Sequence, residues 1–425
     1  MQNQLSGPHA NPSRNTLDMK STFKYPFEFF ILAALVLFIP LLEAPKNIFW
    51  IAFILIWFVN RIRAKDFGGA WDTWDSLIGF WILSGYLISA FSGLHGSEWG
   101  GANDILRYGS ILWVIKRSGY GRMELRWLTV IIICSTFIAL SYALWSRFVA
   151  HTEQALELNS VGHVNHSAIY LAISYGALLS LTLAFWRKNN PALRILSALL
   201  TTFFALSVFI SASRAAVGVA LLLTLILGLV WLKRSKFPLA VLFIAATLLA
   251  GGAYITQTEV VQKQEINTKA GNVLSYRDVI WNTALVAWHK YPAFGVGMNN
   301  YNQISMGKVK AWLEESGKPY VESQYFFAPH AHNLYINTLA ERGLLGAATL
   351  LSVLMFWLYW LFRFAPKGDD EDLAWGLWGG SFSAWFITTG VGLANTTLHH
   401  EHAILSVMLL GMWLAYLKLE AHPSA

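Results

Sequence analysis

The sequence predicts an all-α, polytopic membrane protein with about twelve transmembrane helices and one large outer loop. Three observations predict it. Of the 425 residues, 55% are hydrophobic and only 13% charged, more apolar surface than a soluble globular protein of this size needs. Apolar runs near the length of a bilayer core recur from residue 27 to residue 417. Basic residues alternate between the connecting loops with a strong bias to one side.

The expected spans are 27–44, 48–62, 76–94, 105–116, 127–148, 167–186, 193–212, 215–232, 237–256, 333–362, 373–395 and 402–418. Residues 1–25 are polar and end in Lys20 and Lys24. The run after them is long and lacks a small-residue cleavage site, so it is expected to stay as the first helix. One set of loops carries Arg61, Arg63 and Lys65, then Lys116, Arg117, Arg122 and Arg126, then Arg187, Lys188 and Arg194, then Lys233, Arg234 and Lys236, then Arg363 and Lys367. The opposite short loops carry only Lys46, Arg107, Arg147 and Arg214. The positive-inside rule makes the first set cytoplasmic, with both termini beside it. The whole chain, 1–425, reads as a single integral membrane domain, with residues 257–332 as a large loop on the outer side.

That loop has its own pattern. Ser275 to His289 reads as a helix, with Ser275 and Asp278 in the spacing of a capping box. Ile280, Ala284, Ala287 and Trp288 form its apolar stripe, and Pro292, Gly295 and Gly297 end it. A second amphipathic segment, 306–315, carries Lys308 and Lys310 with Trp312 and Leu313. Both are expected to lie on the bilayer surface, basic face toward the head groups.

The net charge of +7 is not a nucleic-acid signature, because the bases are distributed over loops as topology requires. The lone cysteine, Cys134, sits inside an apolar run and rules out an intramolecular disulfide framework. No nucleotide-binding fold, repeat or separate soluble domain is visible.

Candidate chemistry collects at the outer face. Pro329 to Gly346 carries His330, His332 and Asn333 where the loop turns into a helix. On a continuous helix His332 and Gly343, eleven residues apart, fall within about 20° of each other, and Gly346 lies about 40° to the other side. Small residues on that stripe let another helix approach closely, which is expected to turn the His332 imidazole inward as a candidate base. Its bland reading is a polar residue marking the end of a span. Arg214 lies between two spans with almost no loop to hydrate it, and Arg277 lies in the first turn of the loop helix. Each alone reads as structural; together with His332 they suggest a phosphate receptor, since guanidinium forks match its oxygens in pairs. His399, His400 and His402, with Glu401, invite a metal reading. The adjacency of His399 and His400, and the absence of an H-E-x-x-H spacing, argue against it, and no metal is assigned. His163 and His166 are weaker candidates for lining the same cavity.

His332-Asn333, nine residues, then Gly343-Leu-Leu-Gly346 resembles the H-[N/S/Q]-x9-G-x-x-G signature of the O-antigen ligase and polymerase superfamily. Ser213-Arg214-Ala215 and Arg277-x3-Trp281 with Pro292-x-Phe294-Gly295-Val296-Gly297 also resemble that family, over roughly 200 to 415. The His330-Ala-His332 doublet departs from the pattern and leaves open whether His330 shares the work. The size and the lack of an appended domain resemble the O-antigen ligases of Gram-negative inner membranes. The resemblance implies metal- and cofactor-independent glycosyl transfer at the periplasmic face, from undecaprenyl-diphosphate-linked O-antigen to the lipid A–core acceptor. His332 is then the catalytic base, and Arg214, Arg277, His330 and Asn333 bind substrate. The implied partners are donor, acceptor and membrane lipid, with no nucleic acid and an undetermined oligomeric state. Rival readings are an O-antigen polymerase, a protein-glycosylating ligase and, from another class, a transporter or flippase of a lipid-linked sugar. The last is disfavoured because span interiors are almost uncharged.

Overall fold

The computed structural model describes residues 23–186, 188–235, 276–368 and 370–421. These residues form α1 (Pro26–Phe38), α2 (Glu43–Ala64), α3 (Thr73–Phe91), α4 (Glu98–Arg117), α5 (Arg122–Phe148), α6 (Val164–Phe185), α7 (Pro191–Ile210) and α8 (Arg214–Ser235). After them come α9 (Arg277–Lys290), α10 (Met306–Glu315), α11 (Leu334–Arg363), α12 (Asp372–Val391) and α13 (His400–Ala421). No strand occurs among the described residues. Eleven of the twelve expected spans coincide with α1–α8 and α11–α13; the twelfth, 237–256, lies outside the described residues. Among the described residues, eight helices are long and apolar enough to cross a membrane. Of the other three, α1 is short, α4 carries charge, and α12 is built from Gly, Ser and Trp.

The two ends of the bundle differ in chemistry. At one end, basic residues pair with acids across helices: Arg117 with Asp75 at 2.8 Å, Lys116 with Asp72 at 2.6 Å, Arg122 and Arg126 with Glu371 at 2.7 and 2.9 Å. At the other end lie the starts of α2, α6, α8, α11 and α13, where Lys46 forms a buried ion pair with Glu401. In a low-dielectric interior such a pair is tolerable only when both charges are compensated, and Ser160 adds a bond to the same carboxylate.

Helices α6 and α12 are buried along most of their length and pack closely against each other. A methyl group on Gly176 would lie 2.5 Å from the Ser383 side chain, and one on Gly379 would lie 2.5 Å from Ser180. Small residues therefore face small residues, and dispersion and close backbone approach stand in for the hydrophobic effect that lipid cannot supply.

Three sequence expectations change here. First, α11 is not a continuous helix: Gly343 has φ 59° and ψ −160°, and His332 lies before the helix with φ 48°. The eleven-residue helical angle between them therefore has no meaning, and Gly343 is a break rather than part of a packing stripe. Into that break comes loop 292–297. Leu344 and Leu345 N–H donate to the Pro292 and Ala293 carbonyls, at 2.8 and 3.1 Å. Val296 and Gly297 N–H donate to the Ala340 and Glu341 carbonyls, at 2.8 and 2.9 Å. The backbone groups freed by the break are thus satisfied by the loop.

Second, the expected capping box does not cap α9. Ser275 lies outside the described residues, and the N-cap is Tyr276, with φ 63° and no side-chain cap bond. Third, α9 and α10 turn their apolar faces to each other and not to the bilayer. Ala284, Ala287, Val309, Trp312 and Leu313 share a small core with Tyr301, Ala331 and Ala340. The loop docks on the α3–α4 connection through Gly93 and Leu94 N–H to the Gly295 and Val296 carbonyls, at 3.0 and 3.1 Å.

Candidate active site

The segment carrying the two histidines is pinned from both sides at Ala331, the residue between them. Ala331 N–H donates to Asn337 Oδ1 at 2.9 Å, and the Trp281 indole N–H donates to the Ala331 carbonyl at 3.0 Å. Asn337 sits on α11 and in turn donates to Glu341 at 2.9 Å. Trp281 sits on α9, one turn beyond Arg277, so the two share a face of that helix. Anchoring Trp281 on Ala331 therefore brings Arg277 beside the histidines.

Electrostatics register that proximity. Burial, and then the Arg277 guanidinium, hold the His332 imidazole below its usual pKa, with His163 adding to the same effect. The Asn395 amide hydrogen-bonds the His332 ring and favours its protonated form, as an oxygen accepting from an imidazole N–H does. One ring nitrogen is thereby given to Asn395 and the other keeps its lone pair. Arg277 itself is lowered by burial and then by the charge of Arg214. Arg277 thus lies near enough to act on His332, and Arg214 near enough to act on Arg277, although Arg214 stands exposed at the start of α8 and not desolvated as the short hairpin suggested. Among the described residues no carboxylate pairs with Arg277. His330 is pushed down to about 4, mainly by burial and then by His332, whose ring centre is 4.2 Å away.

Asn333 has another task. Its Oδ1 accepts from Tyr335 and Ile336 N–H, each at 3.0 Å, and its Nδ2 donates to the Leu393 carbonyl at 2.9 Å. It is 7% exposed. The residue expected at the substrate is the N-cap of α11 and a tie to the α12–α13 loop.

Left-handed backbone at non-glycine residues gathers here: Ala212 near Arg214, Tyr276 next to Arg277, His332 itself, and Leu398 and His400 in the facing segment. Such conformations persist only where the surroundings enforce them, and they concentrate at functional sites.

Behind the pair lies a group of imidazoles from two elements. His166 in α6 meets His399 and His402 at the start of α13, with one ring nitrogen of each within 4.8 Å of the others. The spacing argument weighed His399 and His400 as neighbours in sequence; the structure supplies a third ligand from 233 residues away in the chain, His166 to His399. These three are the residues able to hold a metal among the described ones.

A family model described as O-antigen ligase matches part of the chain, residues 198–351. The match supports the O-antigen ligase/polymerase superfamily, a group of glycosyltransferase-like enzymes that act on lipid-linked polysaccharide in membranes. No curated protein matches the chain. Within the stretch matching the O-antigen ligase model lie Arg214, Arg277, His330, His332, Asn333 and the break at Gly343. Asn395 and the histidines at 399, 400 and 402 lie beyond it. Asn395 carries no periodic or motif signal, and only the packing of the α12–α13 loop against His332 reveals it.

Proposed function

We propose that this protein is an O-antigen ligase, joining polysaccharide from undecaprenyl diphosphate to the lipid A–core acceptor on the periplasmic side of a Gram-negative inner membrane. The observation that carries the proposal is a chain of three groups from separate elements: Arg277 on α9 lies beside the His332 imidazole, and Arg214 at the start of α8 lies beside Arg277.

The acceptor hydroxyl attacks C1 of the donor sugar and gives its proton to the free nitrogen of His332. The new bond is acceptor oxygen to C1; the bond broken is C1 to phosphate oxygen, and its electron pair leaves on undecaprenyl diphosphate. Arg277 and Arg214 meet the growing negative charge on that leaving group with fixed positive charge, which replaces what a metal does elsewhere. Asn395 holds the imidazole in the tautomer that leaves the reacting nitrogen free. A single displacement inverts the anomeric carbon, and NMR of the product linkage reads this directly. Both substrates are lipids, so the site opens sideways to the outer leaflet. Loop 292–297 and α9 form its wall.

The lipopolysaccharide of a deletion strain tests the assignment. A ligase leaves bare lipid A–core. Core bearing a single repeat points instead to the polymerase, and an unchanged profile overturns both.

A further inference from the structure

The three-imidazole cluster behind His332 has no part in the transfer just described. His166 Nδ1 and His402 Nε2 lie 3.2 Å apart. Two imidazole nitrogens on one tetrahedral zinc, each about 2.0 Å from it, stand about 3.3 Å apart. The third ring is within reach, since all three ligand atoms fall inside 4.8 Å. Two of the rings are buried, His402 at 1% and His166 at 9% exposed, and His399 is part-buried at the edge of the cluster. Whichever ring donates within the His166–His402 pair, His402 Nδ1 remains without a hydrogen-bond partner.

His399 is prepared in a second way. Its Nε2 lies 2.9 Å from the Thr396 carbonyl, which only an N–H can approach, so the lone pair is on Nδ1. A ring anchored to a backbone carbonyl through its other nitrogen is the usual support of a metal-bound histidine. The acid nearest in sequence, Glu401, is held by Lys46 and Ser160 and does not neutralise the cluster as imidazolium.

We propose that His166, His399 and His402 form a site for a divalent transition metal of the zinc class. The ion clamps the start of α6 to the α12–α13 loop, the loop that presents Asn395 to His332. Its role is to hold that loop, and no step of the transfer runs through it.

Purified protein in detergent, stripped by chelator and dialysed against Zn2+ alone, is expected to retain an equimolar amount of zinc. Co2+ in its place is expected to give the visible absorption bands of a tetrahedral nitrogen site. His399→Ala lies outside the helices and is expected to weaken zinc retention by about 100-fold or more. His166→Ala should do the same, and His332→Ala should leave retention unchanged. Two results overturn the proposal: wild-type protein that keeps no zinc and shows no Co2+ bands, or retention that His399→Ala and His166→Ala leave intact. Either makes this a hydrogen-bonded imidazole cluster only. Metal content and spectra are read without transfer activity, so failure here and failure of the ligase reading are separate results.

Discussion

At the scale of single residues, the chemistry depends on an imidazole that stays neutral beside fixed positive charge. Transfer needs the unprotonated ring, so its rate falls as pH drops through the folded pKa of His332. That pKa lies below the ordinary 6.5, because burial and Arg277 both disfavour the cation. The acid limb of the rate profile is therefore expected below pH 6.5 and not at it. Arg277→Gln removes the Coulombic part and moves the limb upward, while Arg277→Lys keeps the charge and leaves the limb in place. Both variants lower transfer, by about 10- to 100-fold for Gln and less for Lys, because lysine lacks the fork that meets two phosphate oxygens. Asn333 makes a different prediction. Asn333→Ala loses the cap and about 1 kcal/mol, whereas Asn333→Asp still accepts from Tyr335 and Ile336 N–H; thermal unfolding in detergent separates them. His332, Arg214 and Arg277 stand out in the sequence as titratable or charged groups expected at one membrane face, and the structure sets Arg277 near both of the others. Asn395 does not stand out, because its meaning lies in a contact between segments that sequence periodicity does not connect.

At the scale of elements, the interlock of α11 with loop 292–297 holds the histidine segment in place. A side chain at Gly343 would require left-handed backbone and would sit 2.4 Å from the Ala293 carbonyl. Gly295, with φ 68°, would strike the backbone of Glu341 at the same distance. Gly343→Ala is expected to cost about 1–2 kcal/mol in backbone strain before any steric overlap is counted. A thermal transition lowered in parallel with transfer would bear this out; unchanged stability would show that the break tolerates a side chain. The spacing of Gly343 and Gly346 is visible in the sequence, but the break it marks is not. A hydrophobic pattern continues straight through a break in dihedral angle, so periodicity reports an unbroken helix over 334–363. The same limit applied to α9 and α10. Their amphipathic faces were evident, yet each covers the other, and no pattern within one segment tells a bilayer from a neighbouring helix.

For the whole molecule, composition and loop charge foretold the all-helical membrane architecture, since a bilayer permits few alternatives to helices that satisfy their own backbone. Length and hydropathy limits are less informative: α4 carries charge, and α12 is packed by Gly, Ser and Trp, whose burial hydropathy undervalues. The proposed orientation predicts opposite labelling at the two ends. In a variant lacking Cys134, a cysteine at Lys318 should react with a membrane-impermeant reagent in cells with permeable outer membranes. One at Lys65 should react only after lysis. Labelling of both from outside would break the topology and, with it, the periplasmic site. The most direct measurement of the central claim is transfer by purified protein in detergent, given lipid-linked donor and lipid A–core and no ion gradient. Wild-type protein is predicted to form the joined product and His332→Ala to lose about 10²–10⁴-fold in rate while still binding donor. Normal transfer by His332→Ala, or none by the wild type, would contradict the account.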